Sequence, residues 1–135
     1  MSRLFFAVVS VTVVVLGGVQ AVLAAPADDQ YFAAATHYSQ ARWSQAREAF
    51  QTFLAAHPNH PQSDQARFYL GESLVQLREY ATAADHFQTL FTRRLGDALY
   101  RKVLYRAGES AYFAKRFDQA QQQLTRFVNE FPADK

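Results

Sequence analysis

The chain has 135 residues, with 14 Lys and Arg against 12 Asp and Glu, and half of its residues are hydrophobic. That length is one domain's worth of chain, and a formal net charge of +2 argues against a strong polyanion binder. With no cysteine, a disulfide framework and a lipid-modified cysteine anchor are both excluded.

Residues 1–24 differ from everything after them. Arg3 is the only charge, residues 4–16 are apolar apart from Ser10 and Thr12, and Val22-Leu23-Ala24 offers a cleavage site. A basic start, an apolar core and small residues at a cut site predict a secretory signal peptide over 1–24. Ala27 offers a second cut. Residues 4–25 are also long enough to cross a bilayer, so an uncleaved inner-membrane anchor is the alternative. Gly17, Gly18 and Gln20 interrupt the stretch and favour cleavage. Either outcome exports the remainder.

From there on, apolar residues recur at helical spacing. The runs at 31–40 and 43–56 end at Pro58 and Pro61, which cannot continue a helix. The runs at 65–77 and 80–92 end at Arg93-Arg94-Leu95-Gly96-Asp97, where Gly96 is expected in a left-handed cap and Asp97 as the cap of the next helix. The runs at 98–114 and 117–131 end at Pro132. No segment alternates with period two, so the expected class is all-α, with six helices in three antiparallel pairs.

The pairs repeat. Trp43, Tyr80 and Phe117 are 37 residues apart, as are Ala46, Ala83 and Ala120, and Phe53, Leu90 and Phe127. A fixed period in this range marks stacked units, none of which buries its apolar face alone. Ala34, Gly71 and Gly108 share one register position. Glycine inside a helix costs about 1 kcal/mol against alanine, so close helix contact is expected there. Phe50, Phe87 and Leu124 join Trp43, Tyr80 and Phe117 in the expected core, while Leu54, Phe91 and Val128 are expected to face a neighbouring unit.

These residues resemble the tetratricopeptide repeat (TPR) family, whose pattern is Leu-Gly, an aromatic, an alanine, a large apolar residue and a closing proline. Leu70-Gly71, Tyr80, Ala83 and Phe87 carry it in the second unit. Gly108, Phe117, Ala120, Leu124 and Pro132 carry it in the third, and Trp43, Ala46, Phe50 and Pro58 in the first. The departures are a period of 37 rather than 34, Ala33-Ala34 for Leu-Gly, and Leu95 in place of a proline. The resemblance implies a TPR-type solenoid over 27–135, with repeats at about 27–63, 64–100 and 101–135. Together with a signal segment, the longer period resembles the Tol–Pal-associated and outer-membrane-assembly TPR proteins of Gram-negative envelopes. It implies a non-enzymatic protein-interaction scaffold in the periplasm.

In that family the first helices of successive units line a groove. The face maps to Tyr31, Ala35, Tyr38 and Ser39 in the first unit, and Phe68, Glu72, Val75 and Gln76 in the second. In the third it maps to Lys102, Tyr105, Glu109, Tyr112 and Phe113. Tyr31, Phe68 and Tyr105 would form an aromatic row. Glu72 and Glu109 would form an acidic pair that selects Lys, Arg or backbone N–H groups of a protein or peptide segment.

No cofactor or metal is expected. His57 and His60 lack enough companion ligands, His37 and His86 fall within helices, and no nucleophile motif or phosphate-cradling loop occurs. Arg93, Arg94, Arg101, Lys102, Arg106, Lys115 and Arg116 read as a solvated surface rather than a nucleic-acid site. No polar capping helix follows the third unit, so Phe113, Phe117, Val128 and Phe131 are expected to be partly uncovered. The alternative to a groove scaffold is therefore a self-associating module, or a fragment of a longer array held by an uncleaved N-terminal helix.

Overall fold

The structure, a computed structural model, describes residues 25–132. The expected signal segment lies outside them. Six helices follow in order: α1 (Ala27–Ser39), α2 (Trp43–Ala56), α3 (Ser63–Gln76), α4 (Tyr80–Leu90), α5 (Asp97–Phe113) and α6 (Phe117–Glu130). There is no strand among the described residues. Each helix packs on the next along the chain, and α1, α3 and α5 also touch in succession. The first helices thus form one layer of a solenoid and the second helices back it.

The helices that open units one and two start earlier than the apolar periodicity predicts. α1 begins at Ala27 after Pro26, and Asp28 and Asp29 occupy its first turn. Proline fixes the entry angle and the carboxylates favour the positive end of the helix dipole. A polar first turn carries no apolar signal, which is why it was not visible in the pattern. Gly96 departs from expectation. Its φ is −65° and ψ 152°, extended rather than left-handed, and Asp97 makes no capping hydrogen bond.

Left-handed residues occur elsewhere, at Ala41 (φ 56°), Arg78 (φ 61°) and Lys115 (φ 61°), again 37 apart. Each ends a first helix in the same way. The Ala41 N–H donates to the Tyr38 carbonyl and the Arg42 N–H to the His37 carbonyl. Arg78 and Glu79 donate likewise to Val75 and Leu74, and Lys115 and Arg116 to Tyr112 and Ala111. This is the Schellman arrangement, which satisfies otherwise orphaned carbonyls at a helix end. It turns the chain sharply enough to lay each second helix antiparallel to its first.

Close packing inside each pair explains the glycines. A Cβ on Gly71 would lie 2.5 Å from Cε1 and Cζ of Phe87, and one on Gly108 would lie 2.7 Å from Cγ and Cδ2 of Leu124. The missing side chain makes room for a large residue of the partner helix rather than for its backbone. Phe50, Phe53, Phe87, Leu90, Val103 and Leu104 are fully buried or nearly so. Burial of such a side chain is worth about 1.5–3 kcal/mol, so this ladder dominates stability.

Successive units are also clasped by ion pairs whose signs are reversed from one junction to the next. Arg47 of α2 reaches Glu79 before α4 at 2.8 Å, whereas Asp85 of α4 pairs with Arg116 before α6. Exposed pairs of this kind contribute about 0–1 kcal/mol, so they tune register more than stability.

Phe117 does not join the core as expected. It is 59% exposed, and Tyr112, Phe113 and Val128 of the same unit are exposed as well. Phe131 is half-buried, with the Arg101 guanidinium 5.6 Å from its ring centre.

Candidate functional site

The three first helices enclose a cleft of about 450 Å³ lined by Tyr38 of α1, by Phe68, Tyr69 and Glu72 of α3, and by Lys102, Tyr105 and Arg106 of α5. Helical spacing puts these side chains together. Phe68, Tyr69 and Glu72 are one turn apart on α3, as are Lys102, Tyr105 and Arg106 on α5. Phe68 is buried and forms the floor, with the Lys102 ammonium 6.0 Å from its ring centre. Tyr38 and Tyr69 pack at 4.7 Å between ring centres and make one wall.

Charge in the cleft is organised by Arg106. Its Nη2 donates to Glu72 Oε2 at 2.9 Å, its Nε lies 2.7 Å from Glu72 Oε1, and its Nη1 donates to Glu109 Oε2. Glu72 and Glu109 are therefore not a free acidic pair awaiting a cationic partner, because one guanidinium already spans both. Burial pushes the Glu72 carboxyl above the usual carboxylate range, and Arg106 opposes that shift. Arg106 is itself held above its ordinary value: burial works against its charge, but the two carboxylates outweigh it. The two directions are compatible, since Glu72 is almost fully enclosed and Arg106 keeps part of its side chain in water. Lys102 and Arg101 have no carboxylate within 4.0 Å among the described residues. Around the two clefts flanking Tyr105, Arg101, Lys102 and Arg106 outnumber Glu72 and Glu109 by one.

A second cleft of about 430 Å³ opens on the other side of Tyr105, lined by Ala98, Arg101, Lys102, Tyr105 and Phe127. The Tyr105 ring, 42% exposed and 5.5 Å from Phe127, is the partition between the two.

Of the residues expected to bind a partner, Tyr38, Phe68, Glu72 and Tyr105 line the first cleft, and Glu109 stands behind it through Arg106. Tyr31 turns its edge to Phe50 and Phe53 and is half-buried, so the aromatic row is uneven. Gln76 is exposed at the end of α3 and outside the cleft. Tyr112 and Phe113 sit at the far end of α5, where Phe113 stacks on Tyr80 at 5.0 Å and Tyr112 meets Phe117 edge-on. Tyr69 and Arg106 were not anticipated. Arg106 and Glu109 stand three apart on one helix, a spacing that signals a pair. Its reach to Glu72 of the preceding unit carries no such signal.

Three of the histidines pack against neighbouring side chains or backbone. His57 and His60 pack on Phe53 at 5.5 Å each. His86 Nε2 lies 2.7 Å from the Arg67 carbonyl, which makes it the donor there. No group of three or more His, Asp or Glu close enough to hold a metal occurs among the described residues, and no helix among them is long and apolar enough to cross a membrane.

Two family models, each described as tetratricopeptide repeat, match residues 33–93 and 102–134. No curated protein matches the chain.

Proposed function

Because this chain belongs to the tetratricopeptide repeat family, whose repeats generally mediate protein–protein interaction, we propose that it is a scaffold holding a protein segment in the cleft of α1, α3 and α5. The observation that carries this reading is the pairing of an apolar floor, Phe68 between Tyr38 and Tyr105, with a cation at the rim, Lys102, that has no carboxylate partner among the described residues. A large apolar side chain has a site to fill, and a carboxylate beside it would meet Lys102. The charge preference is the reverse of the one expected from Glu72 and Glu109, because Arg106 occupies both. Catalysis forms no part of the reading.

Two peptides alike except for Asp or Lys beside one aromatic anchor test it by fluorescence titration. The acidic peptide is expected to bind roughly tenfold tighter, a difference of about 1.4 kcal/mol. Lys102→Glu should reverse the order. Equal affinities, or an order unmoved by Lys102→Glu, would refute the proposal.

The setting is proposed on the sequence of residues 1–24: export to the bacterial envelope, with the repeats in the periplasm. A reporter enzyme active only outside the cytoplasm, fused after Lys135, should be active with the leader and inactive without it. Activity independent of the leader would contradict export.

A further inference from the structure

Among the described residues, five of the six exposed large hydrophobic residues lie in the third unit: Tyr105, Tyr112, Phe113, Phe117 and Val128. The sixth is Phe32, 73% exposed on the outward face of α1. These are the two ends of the described stack, and the 37-residue register relates them.

Phe32 occupies the position of Tyr69 in the second unit and Arg106 in the third. Tyr69 is the residue that α3 lays on the preceding unit, 4.7 Å from Tyr38 and 5.8 Å from Phe50 between ring centres. The counterparts of Tyr38 and Phe50 in the third unit are Tyr112 and Leu124, and Tyr112 is exposed. Beside Phe32, Ala33 matches Leu70 and Ala107, and Thr36 matches Ser73 and Ser110, all four buried at existing junctions. The second cleft fits the same scheme. Its Tyr105 and Phe127 correspond to Phe68 and Leu90, which are buried where α5 covers the second unit. Val128 corresponds to Leu54 and Phe91, both half-buried.

We infer that α1 of a second copy of this chain docks on the third unit, continuing the stack head to tail. The new junction repeats the packing of α3 on unit one and of α5 on unit two. It would bring Asp28, in the register of Lys102, over Tyr105 beside Arg101 and Lys102, which have no carboxylate within 4.0 Å among the described residues, so charge is complementary as well as shape. One residue fits poorly. Asp29 shares the register of Ala66 and Val103, both fully buried, and a carboxylate there resists desolvation. That misfit keeps the contact weak and gives it a handle. The association is heterologous, so it propagates beyond a dimer. It does not rest on the groove reading, and the variants that test the two are different.

The absence of cysteine makes the test clean. Full-length chain carrying Phe32→Cys and Tyr112→Cys is treated in cells with a short bis-maleimide. A ladder of dimers, trimers and larger species is expected, whereas each single-cysteine variant should stop at dimers. Adding Asp29→Ala should increase the ladder severalfold, and adding Asp28→Lys should reduce it. Ser44→Cys with Tyr112→Cys, away from the predicted contact, should give no ladder. No ladder from the matched pair, an equal ladder from the Ser44 pair, or a decrease with Asp29→Ala in a chain of unchanged helicity would each overturn the inference.

Discussion

Replacing Ala41, Arg78 and Lys115 together by glycine should stabilise the protein. All three hold φ near +60°, where an L-residue costs about 1–2 kcal/mol because its Cβ crowds the following carbonyl. Glycine escapes that cost but gives up about 0.5–1 kcal/mol of extra chain entropy on folding. The net gain is about 0.5–1 kcal/mol per site. All three side chains are exposed and none joins an ion pair among the described residues, so their removal forfeits little packing. The sites lie in separate turns and should add, giving about 1.5–3 kcal/mol in total. Urea unfolding followed by circular dichroism should show a higher midpoint with an unchanged slope. Melting should rise by at least about 5 °C, given about 4–8 °C per kcal/mol for a domain of this size. Gln40→Gly, one residue earlier and at φ −93°, should do the opposite and lose about 0.5–1 kcal/mol. A triple variant no more stable than the parent would refute the reading of these turns as strained caps.

Arg106→Met should cost about 3 kcal/mol, the lower end for breaking a buried pair, because it strands the enclosed Glu72 carboxylate. Adding Glu72→Gln should recover most of the loss, and a double-mutant cycle in urea measures it. Gly71→Ala should destabilise by about 1 kcal/mol, since overpacking against Phe87 at 2.5 Å outweighs the gain in helix propensity. Gly96→Ala, with nothing within 4 Å of a new Cβ, should be neutral or slightly stabilising. His86 gives a pH dependence. Burial, aided by nearby Arg67, holds its pKa below 6.5 despite the hydrogen bond to the Arg67 carbonyl. Below pH 6.5 the unfolded chain binds the proton more readily than the fold, so stability present above that pH should fall as pH is lowered. His86→Gln, the residue at the same register in the third unit, should flatten the slope between pH 7 and 5. The raised Glu72 pKa acts in the opposite sense: its contribution is present below about pH 4.5 and lost as pH rises through its folded value.

The repeat made most of the fold legible. Positions 37 apart share a role wherever that role is set within one pair, which is why the buried ladder and the crowding at Gly71 and Gly108 could be read directly. Roles set between units were harder to see. Tyr31, Phe68 and Tyr105 share a register, yet Phe68 is buried because α5 covers it, whereas no such helix covers Tyr105 among the described residues. Phe117 was expected inside for the same reason. The left-handed turns were hidden because Ala41, Arg78 and Lys115 are not glycines, and the tertiary packing of each pair overrides their backbone preference. The reversed ion pairs join charges 32 and 31 residues apart, a spacing off the repeat period that carries no signal until the units stack. The acidic pair misled because its neutralising arginine stands on the same helix as one glutamate and reaches the other across a unit boundary.

The central claim is that the layer of first helices holds a protein segment. Photo-crosslinking in cells from a benzophenone residue placed at Tyr105, compared with one at Ser44 on the backing layer, tests it most directly. The account predicts a discrete adduct at position 105 with a protein other than this chain, one that disappears with Lys102→Glu and has no counterpart at position 44. Adducts of equal yield at both positions, or one at 105 indifferent to Lys102→Glu, would contradict it.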